Sequence, residues 1–337
     1  MPSSAPDAVI EASDLVKVYG RDTRALDRVS FAVAPGELFG LLGPNGAGKT
    51  TTIRILATLL RPTSGTARLA GFDVLAQPQE VRRRLGLAMQ TPTLDAFSTG
   101  RETLELSGRL HRLPSTEVKR RTDELLELIG LTHVANKLTG TYSGGMRRRL
   151  DLASALVHQP LVLILDEPTE GLDPQSRLAL WEELERINRA GTTMLLTTHY
   201  MEEADRLCTR VAIVDNGKIV VDGAPGALKR GIATETLVLQ LSADSRRDGL
   251  DAKRSEVQHL LADMVGPEAI APHPTGISLA VPDASAAVPA VVRRLDGAGV
   301  QLVSVQVQRP SLDDVFLKYT GRRIRAEAAD QPIILGL

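Results

Sequence analysis

Cysteine is almost missing from these 337 residues, with Cys208 the single example. One thiol excludes an internal disulfide framework and points to a reducing compartment. Neither sign of charge dominates: 40 Lys and Arg stand against 41 Asp and Glu, for a formal net charge of −1. A nucleic-acid binder needs a basic excess, so no nucleic-acid partner is expected. No apolar run approaches the ~18 residues of a transmembrane helix. The start, MPSSAPDAVIEASD, has neither the basic region nor the apolar core of a signal peptide. Work at a membrane is therefore expected to go through another chain. Aromatics make up only 3%, which makes Tyr19 before Gly20 conspicuous. The 43% hydrophobic and 24% charged content is that of an ordinary globular protein, long enough for two domains.

Glycine is locally abundant in FGLLGPNGAGKTTTIRIL (39–56), where Gly43, Gly46, Gly48, Lys49 and Thr50 take the spacing G-x-x-x-x-G-K-T. Between an apolar strand and a helix this is a phosphate-binding loop. The backbone from Gly43 through Asn45 and Ala47 to Thr51 can wrap closely enough for its N–H groups to converge on phosphate oxygens. The helix that follows adds its positive N-terminal end. Lys49 is expected across the β- and γ-phosphates, Thr50 on Mg²⁺, and Thr51 on the α-phosphate. LILD (163–166) is an apolar strand that delivers Asp166 to the sheet edge as a second Mg²⁺-side group, with Glu167 turned towards an attacking water. The expected cofactors are ATP and Mg²⁺.

Up to about residue 230, apolar runs at 29–33, 38–43, 67–71, 85–90, 161–166, 193–199 and 210–223 read as strands. The last is a hairpin turning at Asn216-Gly217. Helical periodicity marks 51–60, 117–130, 145–159 and 174–191. The alternation implies a largely parallel sheet covered by helices. From residue 235 the order becomes β-α-β-β-α-β, a small split βαβ domain, followed by a short helix at 311–319. The expected domains are a flexible start at 1–8, a nucleotide-binding domain at 9–232, an accessory α+β domain at 235–320, and a tail at 321–337. Arg82–Arg84 and Arg147–Arg149 are expected on solvated helix faces.

TYSGGMRRRLDLASAL (141–156) and LILDEPTEGLDP (163–174) together resemble the nucleotide-binding subunits of ABC transporters over about residues 8–230. The resemblance implies an α/β P-loop NTPase fold with a RecA-like core, an antiparallel β subdomain and a helical subdomain. It implies that Ser143, Gly144 and Gly145 contact the γ-phosphate of ATP held by a second copy, so two copies dimerise head to tail. It assigns Tyr19 to adenine stacking, Gln90 to the glutamine loop beside Mg²⁺, Asp173 to the D-loop and His199 to the γ-phosphate. Lys49, Glu167 and His199 are the expected catalytic residues. The wording of the 141–154 and 196–207 segments and the ending RPSLDDVFLKYTGR (309–322) resemble the daunorubicin-resistance type, drug-efflux ATPases paired with a separately encoded permease. That implies a location on the cytoplasmic face of the membrane. ATPases of glycolipid or saccharide exporters, and soluble ABC ATPases, are the alternatives. Only 94 positions separate Lys49 from Ser143, leaving no room for the long coiled coils of chromosome-maintenance members. Two departures stand out. Tyr142 and Met146 flank the signature where Leu and Gln are usual, and Glu170 replaces a Ser and is expected to face solvent.

Overall fold

Strands without a polar residue have no face for water, and the fold buries such runs inside a parallel sheet. The computed structural model describes residues 8–20, 22–232, 235–242 and 247–321, with backbone alone for 247–251. It divides into two compact units, one running to Pro225 and resuming at Tyr319, the other spanning Gly226–Lys318. Most of the expected start and tail lies outside the described residues.

The first unit opens with β1 (Ile10–Tyr19) and β2 (Thr23–Val33), paired antiparallel. β3 (Leu38–Leu42) runs through the glycine-rich loop into α1 (Lys49–Leu56). β4 (Ser64–Leu69) and β5 (Phe72–Asp73) complete a four-stranded sheet ordered β2-β1-β4-β5. After α2 (Pro78–Arg84) and β6 (Leu85–Ala88) come three helices, α3 (Gly100–Leu110), α4 (Ser115–Leu128) and α5 (Gly144–Leu156). Then follow β7 (Val162–Asp166), α6 (Pro174–Arg189), β8 (Thr193–Thr198), α7 (Met201–Leu207), β9 (Arg210–Asp215) and β10 (Lys218–Gly223). They form a six-stranded sheet ordered β10-β9-β3-β8-β7-β6, parallel except for the β9–β10 hairpin. α8 (Pro225–Arg230) ends this stretch.

β3, β7 and β8 are buried along their whole length, including Asp166 of β7 and Thr193, Thr197 and Thr198 of β8. Their register decides where the site lies. Leu42 of β3 sits opposite Thr198 of β8, and Asp166 of β7 opposite Thr197. The loops beyond all three strands therefore start side by side at the C-terminal edge, where open α/β sheets bind ligands. Behind that edge, Ile10, Leu26, Val29 and Phe31 of the antiparallel sheet share one core with Phe39, Leu41, Ile53 and Leu56. The Phe31 and Phe39 rings stack at 5.3 Å. Burying each of these side chains stabilises the unit by roughly 1.5–3 kcal/mol.

Several boundaries differ from the periodicity. The helix expected at 51–60 ends at Leu56, because Thr58 turns to a φ of +62° and the Leu59 and Leu60 N–H groups bond back to the Arg54 carbonyl. α3 escapes the hydrophobic pattern, with few apolar positions facing inward. It is announced by its start, where Thr99 and Glu102 form a reciprocal capping box worth about 1 kcal/mol.

The second unit has the β-α-β-β-α-β order expected of it: β11 (Glu235–Leu241), α9 (Arg247–Val265), β12 (Ile270–His273), β13 (Gly276–Val281), α10 (Ala284–Gly297) and β14 (Leu302–Gln308). The strands lie in the order β12-β13-β11-β14, antiparallel throughout. Leu237, Leu239 and Leu241 pack with Val257 and Leu261 of α9 and Val291 and Leu295 of α10. α11 (Leu312–Thr320) follows.

Glu183 of α6 is buried, with Oε2 lacking a hydrogen-bond partner and Oε1 3.8 Å from Arg149 Nη1. Burial pushes its carboxyl from 4.5 up to about 7. The folded state thus holds a proton that the unfolded chain has released, so this site costs stability as pH rises from about 4.5 through 7. Glu183→Gln is expected to raise the melting temperature by roughly 2–6 °C at pH 8 and to leave it unchanged at pH 4. Thermal melts across that range check it, and a pH-independent difference would contradict it.

Candidate active site

The loop between β3 and α1 wraps because Gly48 takes a φ of +109°, a conformation that strains any residue with a Cβ. Together with Ala25 of β2 it lines a cleft of about 340 Å³ containing Pro44, Asn45, Gly46, Ala47, Gly48, Lys49, Thr50, Thr51, Gln90 and Glu167. The Lys49 ammonium donates to the Gly43 carbonyl at 2.6 Å and the Pro44 carbonyl at 3.1 Å. Its remaining direction is an ion pair with Glu167 Oε1 at 3.1 Å.

Asp166 ends β7 with its carboxylate fully buried. Oδ1 accepts from Thr197 Oγ1 at 2.6 Å and from Thr50 Oγ1 at 3.2 Å. Oδ2 is buried without a hydrogen-bond partner. An orphaned carboxylate oxygen beside a threonine hydroxyl is a hard-oxygen pair of the kind Mg²⁺ takes from a protein while phosphates supply other ligands.

Glu167 departs from the strand with a φ of +46°, sparsely populated for a residue with a Cβ and costing on the order of 1–3 kcal/mol. Its N–H is held by Thr197, through the carbonyl and the hydroxyl, both at 3.1 Å. Its carboxylate meets His199 Nδ1 at 2.9 Å on Oε2 and Lys49 on Oε1. Burial alone would push this carboxyl up, but the His199 hydrogen bond and the Lys49 charge outweigh it and hold it at about 2. Glu167 is a carboxylate across the whole physiological range, poised to accept.

The other sequence-derived residues take different places. Gln90 lines the cleft, and its amide also donates to Glu170. Glu170 is exposed as expected, yet it does not stand free of the site, because it anchors Gln90. Tyr19 ends β1, 39% exposed, with Lys17 Nζ 5.3 Å from its ring, and is not among the residues lining the cleft. Ser143, Gly144 and Gly145 do not line it either. Ser143 caps α5 by accepting from the Met146 N–H at 3.2 Å. Asp173 caps α6, accepting from Ser176 N–H and Oγ. Tyr142 is buried, its hydroxyl donating to the Val134 carbonyl at 2.8 Å.

The expectation of a solvated arginine run fails at one position. Arg148 is 5% exposed, and its guanidinium donates to the carbonyls of Met89, Gln90, Asp166 and Pro168. A helical repeat cannot reveal this, since carbonyls supply the partners and carry no sequence signal. Thr197 is a further site residue that the sequence does not single out; only the strand register, which sets it opposite Asp166, reveals it.

A parallel sheet with a glycine-rich loop before α1, a lysine and a threonine at its end, and an acidic pair on a neighbouring strand defines a P-loop nucleotide-binding domain. Residues 26–170 match the ABC transporter family. Over 319 residues the chain is 43% identical to the daunorubicin resistance ATP-binding protein DrrA2 of Streptomyces coeruleorubidus, covering 93% of this chain and 95% of that one. It is 47% identical to the Nod factor export ATP-binding protein I of Paraburkholderia xenovorans, over 66% of this chain and 73% of that one. An ATP-binding cassette solved as a dimer in a post-hydrolysis state, bound to ADP and phosphate, superposes with a TM-score of 0.59 at 25% identity, over 64% of this chain and 98% of that one. The chain belongs to the ATP-binding subunits of ABC transporters, and it is an ATPase that binds ATP.

Gly145 backs onto the start of α6, where a Cβ would lie 2.6 Å from Ser176 Oγ and 3.0 Å from its Cβ. Gly145→Ala is expected to displace the start of α5 and to lower ATPase turnover at least tenfold. Gly145→Ala/Ser176→Gly is expected to recover a substantial part. Steady-state ATPase rates test this, and full activity in the single variant would refute it.

Proposed function

We propose that this chain is the ATP-hydrolysing motor of an exporter, acting as a head-to-tail homodimer on a separately encoded permease at the cytoplasmic face of the membrane. The observation that carries the reading is the division of the site within one chain. Lys49, Thr50, Gln90 and Glu167 surround one cleft, while the Ser143 cap of α5 stands outside it. A second copy would bring that cap, with the N–H groups of Gly144 and Gly145, to the phosphates. The dimeric, ADP- and phosphate-bound form of a structural relative supports this arrangement. Among the described residues no helix is long and apolar enough to cross a membrane.

Lys49, on exchanging Glu167 for the phosphates of a bound nucleotide, would free that carboxylate to orient water. Thr50 and Asp166, with Gln90 beside them, would hold Mg²⁺, which would supply charge neutralisation at the phosphate oxygens. His199 keeps one Glu167 oxygen fixed and is read as the group that would meet the terminal phosphate. Asp173 caps the helix behind the signature, and Tyr19 stands at the end of β1 for the base. Positioning and charge stabilisation supply most of the rate in such a transfer. Closure on ATP and opening after hydrolysis would then drive the permease. Efflux of drugs or other amphipathic molecules is the reading for cargo, supported by end-to-end similarity to a daunorubicin resistance protein that extends over the second unit. A glycolipid or saccharide exporter is the second reading, favoured by 47% identity to the Nod factor export protein. Residues 235–320 are read as an accessory domain that stabilises the dimer or regulates closure.

Lys49→Ala is expected to abolish hydrolysis, and wild-type turnover would reject the loop assignment. Glu167→Gln should bind ATP and dimerise without turning over, as gel filtration with ATP can reveal. Expressed with its permease in a drug-sensitive host, the wild-type chain should reduce intracellular anthracycline, with Lys49→Ala inactive. Equal accumulation in both strains would exclude drug export.

A further inference from the structure

β6 stops two residues short of the run that the apolar sequence 85–90 suggests, and what ends it is a side chain from a helix. Ala88 still pairs with Leu165 of β7, the last pair of that ladder. Beyond it, the Arg148 guanidinium enters between the two strand ends and takes the carbonyls that a continued ladder would have used. Nη1 donates to Met89 and, at 3.4 Å, to Gln90, Nη2 donates to Asp166 at 3.0 Å, and Nε donates to Pro168 at 2.7 Å. Its charge is balanced by Asp151, one turn further along α5, with Oδ2 at 3.5 Å.

These four carbonyls flank two functional side chains. Met89 and Gln90 carry the peptide groups on either side of Gln90, while Asp166 and Pro168 bracket Glu167. The Asp166–Glu167 peptide is pinned at both ends, its carbonyl by Arg148 and its N–H by Thr197. That double restraint bears on the peptide from which Glu167 departs at its positive φ, the kind of surrounding support a strained residue requires. The same arginine lies five residues after Ser143, on the helix whose first turn that serine caps.

We propose that Arg148 is a positioning residue for ATP hydrolysis, fixing Gln90 and Glu167 relative to each other and tying both to the helix that presents Ser143 to the second copy. The inference rests on the roles proposed above for Glu167 and Ser143. Only a planar fork with donors on three nitrogens reaches carbonyls on both strand ends, so lysine keeps the charge and loses most of the geometry.

The test uses the full chain and compares Arg148→Gln and Arg148→Lys with wild type. Readouts are kcat, KM for ATP and the affinity for a fluorescent ATP analogue, at a temperature where circular dichroism shows each variant folded. Arg148→Gln is expected to lose at least tenfold in kcat while KM and analogue affinity change less than twofold. Arg148→Lys, which retains the charge and fewer of the bonds, is expected to fall between the two. A structural role alone would lower affinity and turnover together, in step with the folded fraction. That result, or kcat within twofold of wild type in Arg148→Gln, overturns the proposal. Should Arg148→Gln not fold, Arg148→Lys decides: wild-type kcat, or parallel losses of kcat and affinity, overturns it. Glu167→Gln run alongside separates the two readings. If it also hydrolyses ATP normally, the Glu167 assignment fails, and if it is inactive while Arg148→Gln is normal, only the Arg148 proposal fails.

Discussion

The alignment of three buried strands governs everything this protein can do at its sheet edge. Leu42 stands opposite Thr198, and Thr197 opposite Asp166, because β3, β8 and β7 pair parallel in adjacent register. A one-residue slip would exchange the side chains that these strands send to their two buried faces and so disturb the packing on both. It would also move the glycine-rich loop away from the acidic pair. Core packing and site geometry are thus held by the same hydrogen-bond ladders. That coupling helps a loop with three glycines and one stiff residue, Pro44, keep an ordered shape.

Electrostatics within the cleft follows from that placement. Glu167, buried and in a strained conformation, would be costly as an isolated charge. Lys49 on one oxygen and His199 on the other make the carboxylate the stable form. Each of the three is therefore poised by the other two, and loss of the Lys49 contact would change the environment of the Glu167 carboxylate. Asp166 differs. Two hydroxyl donors share its Oδ1, leaving Oδ2 as an acceptor with no protein partner.

The helical region is joined to this edge by polar contacts as well as by packing. Arg148 reaches from α5 to the ends of β6 and β7, Glu170 meets Gln90, and Gly145 lets α5 close onto the start of α6. The segment before α3 is tied to the signature approach as well. Thr139 N–H bonds the Ser98 carbonyl, and Thr139 Oγ1 bonds that of Asp95. The first two turns of α5 and the segment leading into them are thereby tied to both the sheet edge and the start of α6.

Much of this was legible in the residues themselves. Gly43 to Thr50 announce a phosphate loop because glycine, lysine and threonine at that spacing answer backbone and charge requirements of local origin. The all-apolar runs of β3 and β7 announce buried parallel strands, and the β-α-β-β-α-β order of the second unit follows from alternation along the chain. Tertiary structure alone decided that Arg148 is buried while Arg147 beside it is exposed, that Glu170 holds Gln90, and that the strand from Leu85 ends at Ala88. The physical reason is shared. These outcomes depend on backbone carbonyls and side chains far apart in sequence, brought within hydrogen-bond reach by sheet register, and a carbonyl looks the same in every residue until the fold says where it points.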